Sequence, residues 1–496
     1  MATIVTRAGK GTTLSWAEMD ANFNNINTKL AESISVKDYG AVGDGVTDDT
    51  AAIQTALNSG AGLVYIPPGD YKVTSTLLIP PNTHLNGAFG QSIKYNPSNA
   101  VCKISYSGTD LTAVKFVCDV NGAVSSKLSD VVVRQLAGGA ANVIAIQVGD
   151  ATDIPTYALS TFIENVHIFG FTGKGVYNYG SWNCSLTNVM VHGASPSART
   201  NIGFHFDNTD AGATSCCLIN CFAEECVVGF EIGSLSSSGR AYSYSSLINT
   251  YVDGCTSGYR FLGSGTSRVI QVFNAGVEVV DGGNAVYASG CAVNFNGLSM
   301  FANGTGFTYV IEADNSAVLT INDGDFIPGT GFSTASTAIV KADNAVIRFI
   351  NTRLTNVSAE RLESNGGRID VITYDQDLYN HLERTNNNVI DVTISNRNST
   401  FSGYTQYIVS TSAGANQAMA GQPIIDVTNV NDGEVITFVN KDLTYDIVLR
   451  TEDIVAGTGI IKHPSNASGS GVVLSARDIA NFVKTNGKLY ELRRGV

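Results

Sequence analysis

In the run CLINCFAEE, residues 217–225, apolar and polar side chains alternate on either side of an apolar–Asn step. The same step recurs at Asn165, Asn188, Asn249, Asn274, Asn296, Asn322 and Asn351, at intervals of 22 to 32 residues. A repeat of that length is the mark of stacked coils, each burying its apolar face against its neighbours. The shortest intervals suit a bare three-stranded coil. The longer ones place loops at coil corners, such as SLSSSGRAYSYSS at 234–246, and such loops can wall a groove.

Side chains along a strand alternate between two faces. Alternation predicts Ile219, Cys221 and Ala223 inside, with Ile248, Thr250, Val252 and then Phe273, Ala275, Val277 in the next coils. It turns Phe222 and Glu224 outward, with Tyr251 and Asp253, Gly276 and Glu278, and one coil earlier Met190 and His192. The expected outer surface therefore carries a column of His192, Glu224, Asp253 and Glu278 beside a row of Met190, Phe222 and Tyr251.

Adjacent coils lie about 4.8 Å apart. Like charges stacked at that spacing repel and push one another's pKa values apart. Hydrolysis of a glycosidic bond uses such an imbalance, with one carboxyl protonated and one ionised. Glu224, Asp253 and Glu278 are the candidate catalytic acids. Phe222 and Tyr251 would give a sugar ring an apolar face to rest on. His192, Arg240 and Arg260 are further candidate substrate contacts. The bland reading of the same acids is a solvated strand face, and that of the arginines is ion pairing with Glu225 or Asp253. Asp323 and Asp325 offer a weaker carboxylate pair or a calcium turn.

Composition agrees with a strand-rich fold. The 496 residues include 51 Gly but only 10 Pro, 44% are hydrophobic and 15% charged. A net charge of −13 argues against nucleic acid, whose phosphates need clustered Lys and Arg. Nine Cys without metal-like spacing read as buried free thiols in a protein assembled in a reducing cytosol, with zinc at Cys216, Cys221 and Cys226 the minor alternative. The N-terminus lacks a signal-peptide core, and no apolar run reaches the roughly 18 residues that span a bilayer. No P-loop, HExxH or Ser-His-Asp pattern is present, so neither cofactor nor metal is expected.

Two segments near the N-terminus carry a family resemblance. VKDYGAVGDGVTDDTAAIQTALNSG, residues 36–60, combines a glycine-rich loop with a helix over 50–58 that Asp48 or Thr47 can cap. LVYIPPGDYKV, residues 63–73, reads as two strands around a turn, and Asp44, Asp48 and Asp49 read as loop and cap residues. This stretch resembles the opening motif of pectate-lyase-like β-helix domains, common in bacteriophage tailspikes. TRAGKGTTLSWAEMDANFNNI, residues 6–26, resembles the N-terminal segments of phage tail fibres and tailspikes. Its Ser15–Glu18 pair forms a capping box before Trp16, Met19, Phe23, Ile26 and Leu30 at helical spacing.

The expected fold is all-β: a right-handed single-stranded parallel β-helix over 35–375 with a capping helix near 48–58. A virion-attachment segment over 1–34 precedes it, and a β-rich, sandwich-like trimerisation or glycan-binding domain over 376–496 follows. The resemblance implies a homotrimeric virion protein that joins the phage tail or baseplate through its N-terminus, without membrane insertion. It would act at the bacterial surface on capsular or O-antigen polysaccharide. An acidic column without Lys favours hydrolysis over elimination from a uronate, which needs a cation to hold the carboxylate. A lyase, or an adhesin that leaves the glycan intact, is the alternative. An esterase has no nucleophile motif to support it.

Overall fold

Strands in successive coils pair in parallel with a fixed register. Ser185–Thr187 pairs with Cys217–Ile219, which pairs with Ser246–Ile248. Met190–His192, Phe222–Glu224 and Tyr251–Cys255 form a second face in the same way. Ile202–Asp207, Val228–Gly233 and Ser257–Leu262 form the third, in a separate parallel sheet. Each coil thus contributes three strands to a parallel β-helix.

The computed structural model describes residues 4–354, apart from residue 32, stretches at 89–99, 118–124, 150–159, 195–198, 208–214, 234–244, 264–268, 303–308 and 329–338, and isolated positions. Beyond 354 it describes strands between 362 and 491. Arg240 lies outside the described residues.

One residue per coil joins the first two faces, and it is left-handed. Asp130, Asn165, Asn188, Asn220, Asn249, Asn274, Asp323 and Asn351 have φ between 48° and 58°. Asparagine tolerates this conformation because its short amide can bond locally. Here the amide reaches the next coil instead. Asn165 donates to Asp130 (3.0 Å), Asn188 to Asn165 (2.9 Å), Asn220 to Asn188 (3.1 Å), Asn249 to Asn220 (2.6 Å) and Asn274 to Asn249 (2.9 Å). The chain of amides stops at Gly297 (φ 79°) and resumes where Asn351 donates to Asp323.

Two details of the repeat differ from the sequence reading. The bend falls at Gly297 and Asp323, one residue after Asn296 and Asn322, and Asn322 donates to Asn296 within the strand instead (3.1 Å). The inward set before the bend is also shifted. Leu218, Leu247 and Val272 are buried, while Ile219 is half-buried and Phe273 is 41% exposed. A left-handed residue interrupts the two-residue alternation, so it restarts after each bend. Beyond it Cys221, Ala223 and Val252 face inward as expected, and Glu224 and Asp253 are register partners.

The interior is filled by these aliphatic rows and by an aromatic stack from the third face. Phe204 lies on Phe230 at 4.7 Å and Phe230 on Tyr259 at 5.1 Å, with ring planes nearly parallel. Each such contact adds about 0.5–1.5 kcal/mol beyond area burial. Interior thiols donate to backbone carbonyls, Cys221 to Leu186 and Cys255 to Ala223, both at 3.7 Å. All eight described cysteines are free and seven are buried. Burial pushes the Cys221 thiol up to about 12.

At the N-terminal end, helix Thr50–Leu57 buries Ile53, Ala56 and Leu57 and packs on Val36–Tyr39 and Leu77–Ile79. Asp49, itself buried, accepts the Val42 and Gly43 N–H groups (2.6 and 3.0 Å), and Asp48 accepts that of Thr50 (3.1 Å). The aspartates thus serve the loop and the helix start. Before them, helix Trp16–Ala31 begins with the expected capping box: Glu18 N–H donates to Ser15 Oγ (3.2 Å) and Ser15 N–H to Glu18 Oε2 (2.8 Å). Its Trp16 and Phe23 are 80% and 64% exposed.

By compactness the chain divides into Met1–Thr355 and Asn356–Val496. In the second unit Val389–Ile394, Gln406–Thr411 and Val435–Asn440 pair in parallel, and Val435–Asn440 pairs antiparallel with Ile479–Thr485. That is a β-rich unit of mixed sheet, distinct from the coil repeat.

The amide ladder makes a stability prediction. Asn220→Ala removes two ladder bonds and puts a Cβ-bearing residue without a local amide into the left-handed region. It should destabilise by about 2–3 kcal/mol, while Asn220→Gly, free of the conformational penalty, should lose less. Unfolding rates in denaturant check the order; equal effects of Ala and Gly would contradict it.

Candidate active site

Register places the expected column on the second face. His192 is opposite Glu224, Glu224 opposite Asp253, and Asp253 opposite Glu278. Met190, Phe222 and Tyr251 line up beside it. Phe222 and Tyr251 stack at 5.1 Å with 15° between their planes, and the Tyr251 hydroxyl bonds Glu278. Gly276 continues their row, and a Cβ there would lie 2.4 Å from the Tyr251 ring. The missing side chain at 276 therefore leaves room for that ring to lie flat.

The acids differ in environment. Glu224 is 2% exposed, Asp253 half-buried and Glu278 exposed. A buried carboxylate needs a partner, and Glu224 has one in His192, whose Nδ1 is 3.1 Å from Glu224 Oε2. The other ring nitrogen, Nε2, faces Glu225 Oε2 at 3.4 Å. His192 thus bridges two carboxylates, with the Phe169 ring 5.5 Å away.

His192 and Glu225 open onto a pocket of about 550 Å³ at the edge of the face, whose lining includes Arg134, Gln135, Phe169 and Gly193. Arg134 belongs to the same column, opposite Phe169, which is opposite His192. It is anchored by Asp70 (2.6 Å) and Ser105 (2.8 Å). Among the described residues no group of three or more His, Cys, Asp or Glu is placed to hold a metal ion.

Sequence reading missed Arg134, Phe169 and Glu225. Arg260, a further candidate contact, lies on the third face, where it pairs with Glu231 at 2.8 Å, and Glu231 faces His205 at 3.4 Å. Ion pairing was the bland reading of Arg260, although with a different acid. Of the weaker pair, Asp325 pairs with Arg353 and Asp323 sits at a bend.

The chain matches known proteins over part of its length. Residues 33–260 match the family described as rhamnogalacturonase A/epimerase, pectate lyase-like. The preneck appendage protein of Bacillus phage PZA is 27% identical over 248 residues, covering 43% of this chain and 28% of that protein. Mannuronan C5-epimerase AlgE2 of Azotobacter vinelandii is 48% identical over 65 residues, 11% of this chain and 6% of the enzyme. Among solved structures, the gp42 tailspike of Acinetobacter phage vb_AbaP_AS12 is 11% identical with a TM-score of 0.49, covering 92% of this chain and 78% of that one. The chain thus spans a little over a quarter of the length of the phage appendage protein.

The face also makes a pH prediction. His167 is opposite Met190, its Nδ1 is buried without a hydrogen-bond partner, and burial holds its pKa below the ordinary 6.5. Below about pH 6.5 the unfolded chain takes a proton that the folded one refuses, so stability falls as pH falls. His167→Gln should flatten the decline of the thermal midpoint between about pH 6.5 and 5; an unchanged slope would contradict the assignment. Coil register and entry motif place residues 33–260 in a parallel β-helix, and the same stretch is the one that matches the pectate-lyase-like family model.

Proposed function

We propose that this protein is a phage tailspike that binds a bacterial capsular or O-antigen polysaccharide along its second face and cleaves it by glycosidic hydrolysis. The observation that carries the reading is the in-register column His192–Glu224–Asp253–Glu278 beside the stacked Phe222–Tyr251 pair. Sugar rings rest on the aromatic pair. The acids of graded burial supply proton transfer, which contributes about 10²–10⁴-fold. Glu224, buried against His192, orients that ring, while Asp253 and Glu278 face the bound chain.

In this reading the protein works as a homotrimer on the virion, and the exposed Trp16 and Phe23 of the N-terminal helix meet the tail or baseplate. A second reading, elimination from or epimerisation of a uronate, draws on Arg134. It gives the pocket a cation that could hold a carboxylate beside His192 and Glu225.

Purified polysaccharides that the protein binds should yield shorter chains with new reducing ends and no unsaturated-uronate absorbance. Asp253→Asn should lower the rate about 100-fold or more, and Tyr251→Ala should chiefly weaken substrate binding. A strong absorbance rise would replace hydrolysis by elimination. Binding without any shortening would make the protein an adhesin. Full activity in Glu224→Gln, Asp253→Asn and Glu278→Gln would discard the column.

A further inference from the structure

Glu225 stands in an unusual backbone position. The residues that follow the column members in successive coils are Gly170, Gly193, Glu225 and Gly254. Gly170 and Gly254 have φ of 73° and 60°, and Glu225 has 55°. Three of these four corner positions hold glycine, yet a glutamate occupies the fourth in the left-handed region. Such outliers carry strain and concentrate at functional sites. The surroundings hold the strained backbone in place. Glu225 N–H donates to Asp253 O (3.0 Å) and Gly193 N–H to Glu224 O (2.8 Å). A Cβ at 193 would lie 2.0 Å from the Glu225 carbonyl oxygen, so only glycine fits below it.

The side chain supplies an independent observation. Of the two carboxylates that flank His192, that of Glu224 is 3% exposed and that of Glu225 19%. Glu225 is also the one that lines the pocket. Resting on the hydrolase reading above, we propose that Glu225 is the catalytic general acid and His192 its positioning residue, set in turn by Glu224. His192 Nδ1 lies against Glu224 and its Nε2 against Glu225, so the ring that Glu224 orients holds the Glu225 carboxyl at the pocket. In the reaction Glu225 gives its proton to the bridging oxygen as the sugar C1–O bond breaks, and the bond's electron pair goes to that oxygen. Water adds to C1 and gives its proton to Asp253; exchange with solvent then returns both groups to their starting states.

The test pairs a stability readout with an activity readout on the full-length protein. Glu225→Gly relieves the strain and removes the acid. It should unfold no faster than the wild type and bind the polysaccharide unchanged, with cleavage reduced at least 100-fold. Glu225→Gln should keep the strain, lose cleavage equally, and lose the limb of the pH–rate profile that requires a protonated acid. His192→Asn should shift that limb, not merely lower the rate. Wild-type cleavage together with wild-type rates in Glu225→Gly or Glu225→Gln would overturn the assignment and leave the hydrolase reading standing. No cleavage by the wild type of any polysaccharide it binds would overturn the hydrolase reading, and this assignment with it.

Discussion

A single left-handed residue per coil, tied to the next coil through its side-chain amide, is the constraint on which the rest of the molecule depends. It bends the chain from the first face to the second without a loop. It also resets the alternation of side chains, so the strand after the bend begins afresh with an inward residue. From Asn188 to Asn274 the amides hand a hydrogen bond from coil to coil, which locks each bend over the one below. Register on the second face follows from that lock, and with it the alignment of His192, Glu224, Asp253 and Glu278. A slip of one residue would turn all four inward.

The energetic arrangement then runs from interior to surface. Aliphatic rows and the Phe204–Phe230–Tyr259 stack hold the coils together. That stability allows the outer face to carry features that oppose folding: a buried carboxylate at Glu224, an unpartnered imidazole nitrogen at His167 and a left-handed glutamate at Glu225. These lie within three successive coils, and Glu225 lines the pocket. Elsewhere Arg260 is paired with Glu231 and Arg353 with Asp325.

Much of this was legible in the sequence, for physical reasons. The entry motif was readable because glycines and short acids are what a tight loop and a helix start require, and Asp44, Asp48 and Asp49 fill those roles. The column was readable because the repeat and the two-residue alternation both hold after the bend. Before the bend the same alternation misplaced Ile219, Ile248 and Phe273, since a left-handed residue does not show in a pattern of polar and apolar letters. Arg260 was given no face, because the third face is reached through loops of varying length, which the spacing of asparagines does not measure. Glu225 was passed over because glutamate seldom adopts positive φ. The available signal lay in its neighbours, Gly193 and Gly254, at the same corner of adjacent coils.

The central claim is that a bacterial polysaccharide lies along the second face with its scissile bond at the pocket edge. A crystal structure of the protein with an oligosaccharide cut from a polysaccharide that it binds tests this most directly. The account predicts sugar rings against Phe222 and Tyr251, with a glycosidic oxygen within hydrogen-bond reach of Glu225. Sugar bound on the third face around Arg260 and Glu231, with the second face bare, would contradict it.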